Sequence, residues 1–170
     1  MKYRTASPFF KEEEIDHILK ETKKILSGEG LLSMGKNVNE FEGLFSDYIG
    51  CKGSVATNSC TSALEIALMS INISPGDEVI IPVQTFIATG SAVLRTGGTP
   101  VFCDINHNFL MDFESLKKNI TSSTKAVILV HFSGLLHEEI KEIKDYLTKR
   151  NIYLIEDAAH APGASYENKK

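Results

Sequence analysis

Apolar and polar residues alternate along the chain with the spacing of amphipathic helices over its first third. Apolar positions three and four residues apart predict a helix over residues 15–26, and the glycines that follow in 27–30 end it. A second stripe of the same spacing predicts a helix over residues 38–48, which stops at Gly50. The first third of the chain is therefore predicted to be helical.

From residue 55 onward, short continuous apolar segments alternate with helical stripes. The apolar segments predict five β-strands, at 55–57, 78–83, 100–105, 126–132 and 152–155. The stripes between them predict helices over 64–71, 86–94, 113–120 and 138–149. Strands that are apolar throughout belong to parallel sheets covered on both faces. We therefore predict an α/β fold with three αβα layers around a mainly parallel sheet.

Two local signals mark helix starts within this pattern. Ser62 and Glu65 have the spacing of a capping box, and Asp112 can cap the helix over residues 113–120.

Composition narrows the classes of protein that fit. The 170 residues are 42% hydrophobic and 24% charged, as in ordinary globular proteins. A net charge of -4 argues against a nucleic-acid-binding surface, and no apolar run reaches the roughly 18 residues of a membrane span. The start of the chain shows no signal-peptide pattern, and three cysteines are unlike a disulfide framework. We therefore expect a cytoplasmic protein without nucleic-acid or membrane partners.

Chemistry is expected at one edge of the sheet, because ligands of open parallel sheets bind beyond the carboxyl ends of the strands. Polar, titratable or aromatic side chains lie at or just after the end of every predicted strand, at 58–62, 84–86, Asp104, 131–134 and 156–160.

Two of these segments suit a charged ligand. Residues 58–62 are rich in hydroxyls and precede a helix, so they can bind a phosphate at the helix N-terminus or simply cap it. They lack the glycines of a phosphate-binding loop or a dinucleotide fingerprint. Glu156 and Asp157 end an apolar strand, and a buried carboxylate needs a partner. That partner is the start of a helix that the carboxylate caps, a structural hydrogen-bond donor, or a cationic ligand such as a protonated ring nitrogen.

The aromatic and histidine side chains are ambiguous by themselves. Phe86 can be a core residue or a stacking platform, and His160 can be a partly buried residue with ordinary hydrogen bonds. His131 and His137 show no metal-site spacing with carboxylates or cysteines, so we predict no metal site.

Taken together, seven segments resemble one family in sequence order. The segments are GKNVNEFE at 35–42, SCTSAL at 59–64, PGDEVI at 75–80, TFIAT at 85–89, PVFCDI at 100–105, VHFSG at 130–134 and EDAAHA at 156–161. They resemble the DegT-like sugar-nucleotide aminotransferases, which are pyridoxal-phosphate (PLP) enzymes of the aspartate-aminotransferase fold, type I. The resemblance covers essentially the whole chain.

The resemblance implies five cofactor-binding residues. Cys60 and Thr61 match the positions that receive the PLP phosphate, with the backbone N–H of Cys60 mattering more than its thiol. Phe86 matches the residue that stacks on the pyridine ring, Asp157 the carboxylate that pairs with the ring nitrogen, and His160 the group near the phenolic oxygen. The implied reaction transfers an amino group, usually from glutamate, to a nucleotide-linked keto-sugar, for surface polysaccharides or deoxyamino sugars.

The resemblance also implies that part of the enzyme is missing. The family's Schiff-base lysine lies downstream of the Asp157 position, and Lys169 and Lys170 match the polar turn before it. We therefore expect residues 1–30 to form an N-terminal arm and helix, and residues 31–170 the N-terminal part of the PLP-binding large domain. That part would hold about five of seven strands, without the small C-terminal domain, and would be inactive alone.

Other interpretations stay open. Relatives that replace the lysine with histidine are PLP-dependent sugar dehydratases, and a non-catalytic interaction module is a further possibility. A generic doubly wound nucleotide-binding domain is disfavoured by the missing phosphate-loop glycines. For the aminotransferase, the expected protein partner is a second copy, giving a homodimer, or a complementary C-terminal chain.

Overall fold

The computed structural model describes residues 8–170 and divides the chain into two compact units, one through Ala56 and one from Thr57 onward. Residues 1–7 of the predicted N-terminal arm lie outside the described residues. None of the helices in the described part of the chain is long and apolar enough to cross a membrane.

The first unit contains both predicted helices, α1 (Glu12–Lys24) and α2 (Lys36–Ile49), with a π-helical turn (Ile25–Glu29) continuing α1. Acidic residues occupy the first turn of α1 and lysines its last turn, which suits the helix dipole. Gly50 ends α2 with φ of 75°, a left-handed conformation that glycine adopts without a steric penalty. Neither α1 nor α2 has a buried residue.

The second unit contains a four-stranded sheet in the order β2-β1-β3-β4, in which all three pairings are parallel. The strands are β1 (Glu78–Pro82), β2 (Thr99–Cys103), β3 (Thr124–Val130) and β4 (Tyr153–Asp157). The helices are α3 (Cys60–Ser70), α4 (Ile87–Arg95), α5 (Phe113–Asn119) and α6 (Ile140–Thr148). The predicted parallel α/β architecture is therefore confirmed.

Alternating side chains of the sheet build one apolar layer on each face. In β3, Ala126, Ile128 and Val130 belong to the layer that includes the buried leucines of α3. Val127 and Leu129 belong to the opposite layer, which includes the buried residues of α5 and α6. Because strand side chains alternate between faces, a continuous apolar run fills both layers. The three-layer αβα prediction is confirmed.

The expected fifth strand at 55–57 is wrong, since these residues form no strand in the structure. Val55 is 79% exposed, and the backbone N–H of Ala56 donates to the side-chain oxygen Oε1 of Glu42 at 2.8 Å. A strand needs a neighbouring backbone for its ladder, and no strand of the described residues supplies one. The sheet formed by residues 8–170 therefore has four strands rather than five.

One predicted helix start is also wrong. Ser59, rather than Ser62, caps α3, because its hydroxyl accepts a hydrogen bond from the backbone N–H of Ser62 at 3.2 Å. The predicted cap Asp112 is correct, since its carboxylate accepts from the backbone N–H of Ser115 at 2.7 Å.

Candidate functional site

A pocket of about 240 Å³ lies at the carboxyl ends of β3 and β4, the edge of the sheet where the sequence predicts a ligand. Its lining consists of Thr85, Phe86, Val130, His131, Phe132, Asp157, Ala159 and His160. Three of the five predicted cofactor-binding residues therefore surround one pocket: Phe86, Asp157 and His160.

The Asp157 carboxylate is the charged group of this pocket, and it is only 9% exposed. Its Oδ1 accepts a hydrogen bond from the backbone N–H of Ala159 at 3.1 Å, and its Oδ2 lies 3.5 Å from the hydroxyl of Thr89. Among the described residues, no cationic side chain forms an ion pair with it. A buried carboxylate with only neutral donors favours a cationic ligand.

The Cys60 thiol contacts the same carboxylate, with its Sγ 3.6 Å from Oδ1 of Asp157. Partial burial raises the pKa of this thiol, and the negative charge and hydrogen bond of Asp157 raise it further. The thiol therefore stays protonated at neutral pH and acts as a hydrogen-bond donor to Asp157 rather than as a nucleophile.

The first turn of α3 presents unpaired backbone donors. The cap of Ser59 occupies the N–H of Ser62, whereas the N–H groups of Cys60 and Thr61 have no acceptor among the described residues. Free N–H groups and the helix dipole together favour an anion such as a phosphate. Thr61 is half-buried in this turn and is not part of the pocket lining.

Exposure distinguishes the two interpretations of Phe86. This residue is the N-cap position of α4 and is 71% exposed, so it is not a core residue. Its ring is one wall of the pocket and is free to stack on a planar ligand. On another wall, the His160 ring contacts Phe132 edge-on, with 6.3 Å between ring centroids.

His131 is a pocket residue to which the sequence assigns no role. It is 3% exposed, its Nε2 lies 3.0 Å from the Glu156 carboxylate, and its backbone N–H donates to the Asp157 carbonyl at 3.1 Å. The hydrogen bond from His131 lowers the pKa of Glu156, against the opposing effect of partial burial. One feature of the sequence could have identified it as a site residue: His131 directly follows an apolar strand. In the structure that strand pairs with the strand that ends in Glu156 and Asp157.

His137, by contrast, has a structural role. It is buried, with its Nε2 2.7 Å from the carbonyl of Met111, while its Nδ1 accepts from the backbone N–H of Glu139 at 3.1 Å. Both ring nitrogens are therefore occupied, as expected for a buried polar group.

The donor set of the site fits a phosphorylated pyridine. Asp157 suits a protonated ring nitrogen, Phe86 suits the ring face, and the free N–H groups at Cys60 and Thr61 suit a phosphate. One buried polar atom of the pocket residues, Nδ1 of His131, has no hydrogen-bond partner among the described residues.

The chain matches one family over nearly its whole length. A profile of the DegT/DnrJ/EryC1/StrS aminotransferase family matches residues 12–170. GDP-perosamine synthase of Caulobacter vibrioides is 38% identical over 166 residues, which are 97% of this chain and 43% of that protein.

Solved structures agree with this match. The aminotransferase from Psychrobacter cryohalolentis superposes with a TM-score of 0.88 at 33% identity, covering 98% of this chain and 41% of that one. NtdA from Bacillus subtilis, with bound cofactor PMP (pyridoxamine phosphate, the amino form of PLP), gives a TM-score of 0.85 at 32% identity. This similarity covers 96% of this chain and 39% of NtdA.

The chain spans about two fifths of the length of these relatives. The family and its structural neighbours are PLP-dependent aminotransferases. These matches confirm the resemblance found in the sequence and the PLP-transferase fold: the chain belongs to the DegT/DnrJ/EryC1/StrS aminotransferase family.

Proposed function

We propose that this chain provides the cofactor-binding part of an aminotransferase that moves an amino group from a donor such as glutamate to a nucleotide-linked keto-sugar. Such amino sugars serve surface polysaccharides or deoxyamino-sugar products. The supporting observation is the nearly buried Asp157 carboxylate, which has no cationic partner in the described residues and lies in a pocket beside an exposed aromatic ring. GDP-perosamine synthase, a relative by sequence, supports the substrate class. NtdA, a structural neighbour with bound PMP, supports the cofactor.

Each site residue has a defined task in this proposal. Asp157 keeps the proton on the ring nitrogen, Phe86 stacks on the ring, and the N–H groups at Cys60 and Thr61 bind the phosphate. His160 would lie near the phenolic oxygen, as the family resemblance implies. When bound, PLP supplies an electron sink for the substrate carbon.

The neutral donors around Asp157 keep its charge available for the cofactor. The hydroxyl of Thr89 and the thiol of Cys60 orient the carboxylate without neutralising it, since neither group carries a positive charge. The hydroxyl of Thr85, 2.7 Å from that of Thr89, extends this neutral network to the pocket wall. A protonated ring nitrogen would thus be the cation that pairs with this carboxylate.

We also propose that the 170 residues alone do not catalyse the transfer. Residues 31–170 would correspond to the N-terminal part of the PLP-binding domain, and the relatives are more than twice as long. The Schiff-base lysine of the family would come from a sequence corresponding to the rest of those relatives. Assembly would involve a second copy or a complementary chain, and the three free cysteines suit the reducing cytoplasm.

Pyridoxamine phosphate is the direct probe of the proposed cofactor site, because its binding needs no Schiff-base lysine. We expect the 170-residue chain to bind it, and Phe86→Ala to weaken binding by about fivefold through loss of stacking. Fluorescence titration measures both. Phe102→Ala removes an aromatic side chain of similar exposure from β2 and should leave the affinity unchanged. Absence of binding by the unmodified chain would contradict the proposed cofactor role.

A chimaera tests the reaction itself. We expect a fusion of residues 1–170 to the remaining sequence of GDP-perosamine synthase to transfer an amino group from glutamate to a nucleotide-linked keto-sugar, whereas the 170-residue chain alone gives no product. Amine formation is measured by mass spectrometry of the nucleotide sugar. A folded chimaera that binds pyridoxamine phosphate without forming product would contradict the reaction but not the cofactor site.

A further inference from the structure

The hydrogen bonding of His131 is satisfied on one side of its ring only. The side chain is 3% exposed and lines the pocket, and Nε2 pairs with Glu156 at 3.0 Å. Nδ1 is buried and has no partner among the described residues. Buried polar atoms are nearly always hydrogen-bonded, because leaving one unpaired costs the desolvation of that group. The open position at Nδ1 therefore points to a ligand atom.

The partner on Nε2 fixes what Nδ1 can do. The pKa of Glu156 is lowered, so its side chain is an ionised carboxylate that can only accept hydrogen bonds. Nε2 must therefore carry the hydrogen of that pair. Nδ1 is then an acceptor when the ring is neutral and a donor when the ring is charged. In either state it can share one proton with an oxygen that exists as hydroxyl or phenolate.

Two polar groups of the cofactor ring, the 3-oxygen and the 4-substituent, have no partner among the residues assigned so far. In the proposed site, the ring nitrogen pairs with Asp157 and the phosphate with the N–H groups at Cys60 and Thr61. The 4-substituent is the aldehyde or amine that reacts with lysine and substrate, so the 3-oxygen, a hydroxyl or phenolate, is the group that remains for a binding residue. His160 lies near the same oxygen by resemblance, and an oxygen with two or more lone pairs can bond with both histidines.

We propose that Nδ1 of His131, held in place by Glu156, forms a hydrogen bond with the 3-oxygen of the bound cofactor ring. This inference rests on the proposed cofactor site. His131 is then a second binding residue from the end of β3, next to Asp157 at the end of β4. The hydrogen bond from its backbone N–H to the Asp157 carbonyl holds the ends of β3 and β4 together.

Two conservative substitutions of His131 distinguish the roles of its two ring nitrogens. In His131→Asn the amide replaces Nδ1, whereas in His131→Gln it replaces Nε2 and keeps the contact with Glu156. We titrate each variant with pyridoxamine phosphate and with its analogue that lacks the 3-hydroxyl. His107→Asn and His107→Gln, at an exposed histidine, are the matched controls.

The 3-hydroxyl is expected to raise the affinity of the unmodified chain about tenfold. Because His160 would keep its own contact with the 3-oxygen, His131→Gln should reduce this preference to about threefold, and His131→Asn should retain more of it. Equal loss of affinity for both ligands in both variants would show a purely structural histidine and overturn the inference. So would a preference in His131→Gln that equals that of the unmodified chain.

Two further results complete the test. If the unmodified chain binds neither ligand, the proposed function and this inference fail together; if it binds both equally, only the inference fails. Nitrogen-15 NMR of the unmodified chain makes the test independent of variant folding. The Nδ1 resonance of His131 should shift with pyridoxamine phosphate and stay unchanged with the analogue, and equal behaviour with both would overturn the inference.

Discussion

Replacing Asp157 with asparagine is expected to weaken the binding of pyridoxamine phosphate by about 100-fold. Loss of one partner from a desolvated charge pair costs about 2–5 kcal/mol, and no other described side chain in the pocket lining carries a fixed negative charge. The neutral amide keeps the shape of the side chain, so the change isolates the charge. Isothermal titration of the two proteins measures the difference.

The same substitution is expected to leave the free energy of unfolding unchanged or to raise it. In the unliganded chain the Asp157 carboxylate is buried with neutral donors only, and removing an uncompensated buried charge relieves its desolvation. Urea denaturation of the two proteins measures the difference in their free energies of unfolding. Asp145→Asn, at an exposed aspartate, is the control for both measurements. A fall in stability together with unchanged affinity would assign Asp157 a structural role and contradict the proposed site.

The sequence predicts a strand correctly where its hydrophobic pattern fits only one kind of structure. The apolar run of β3 fills both layers of the core, so its composition alone indicates a strand buried on two faces. Residues 55–57 have the same composition over a shorter length, but the N–H of Ala56 is bonded to Glu42. A strand forms only where a neighbouring strand pairs with its backbone, and the local sequence pattern does not show whether such a neighbour is present.

The site shows the same division between local and non-local information. The position of Asp157 at the end of an apolar strand identifies it in the sequence, because the chemistry of a buried carboxylate follows from its surroundings along the chain. Contacts across the fold do not follow in this way. The contact between the Cys60 thiol and Asp157 joins residues that are 97 positions apart. The pairing of His131 with Glu156 joins residues that are 25 positions apart. Only the fold brings each pair together.

Replacing Leu147 with alanine is expected to lower the free energy of unfolding by about 3 kcal/mol, within the 2–5 kcal/mol typical of buried leucines. Leu147 is fully buried in the layer between α6 and the sheet, so the truncation leaves a cavity beneath β4. Leu94→Ala provides the matched control, since Leu94 is a helical leucine that is 64% exposed, and it should cost less than about 1 kcal/mol. Urea denaturation of both variants measures the difference. Equal effects would contradict the packing of α6 on this face of the sheet, and with it the support under the strand that ends in Glu156 and Asp157.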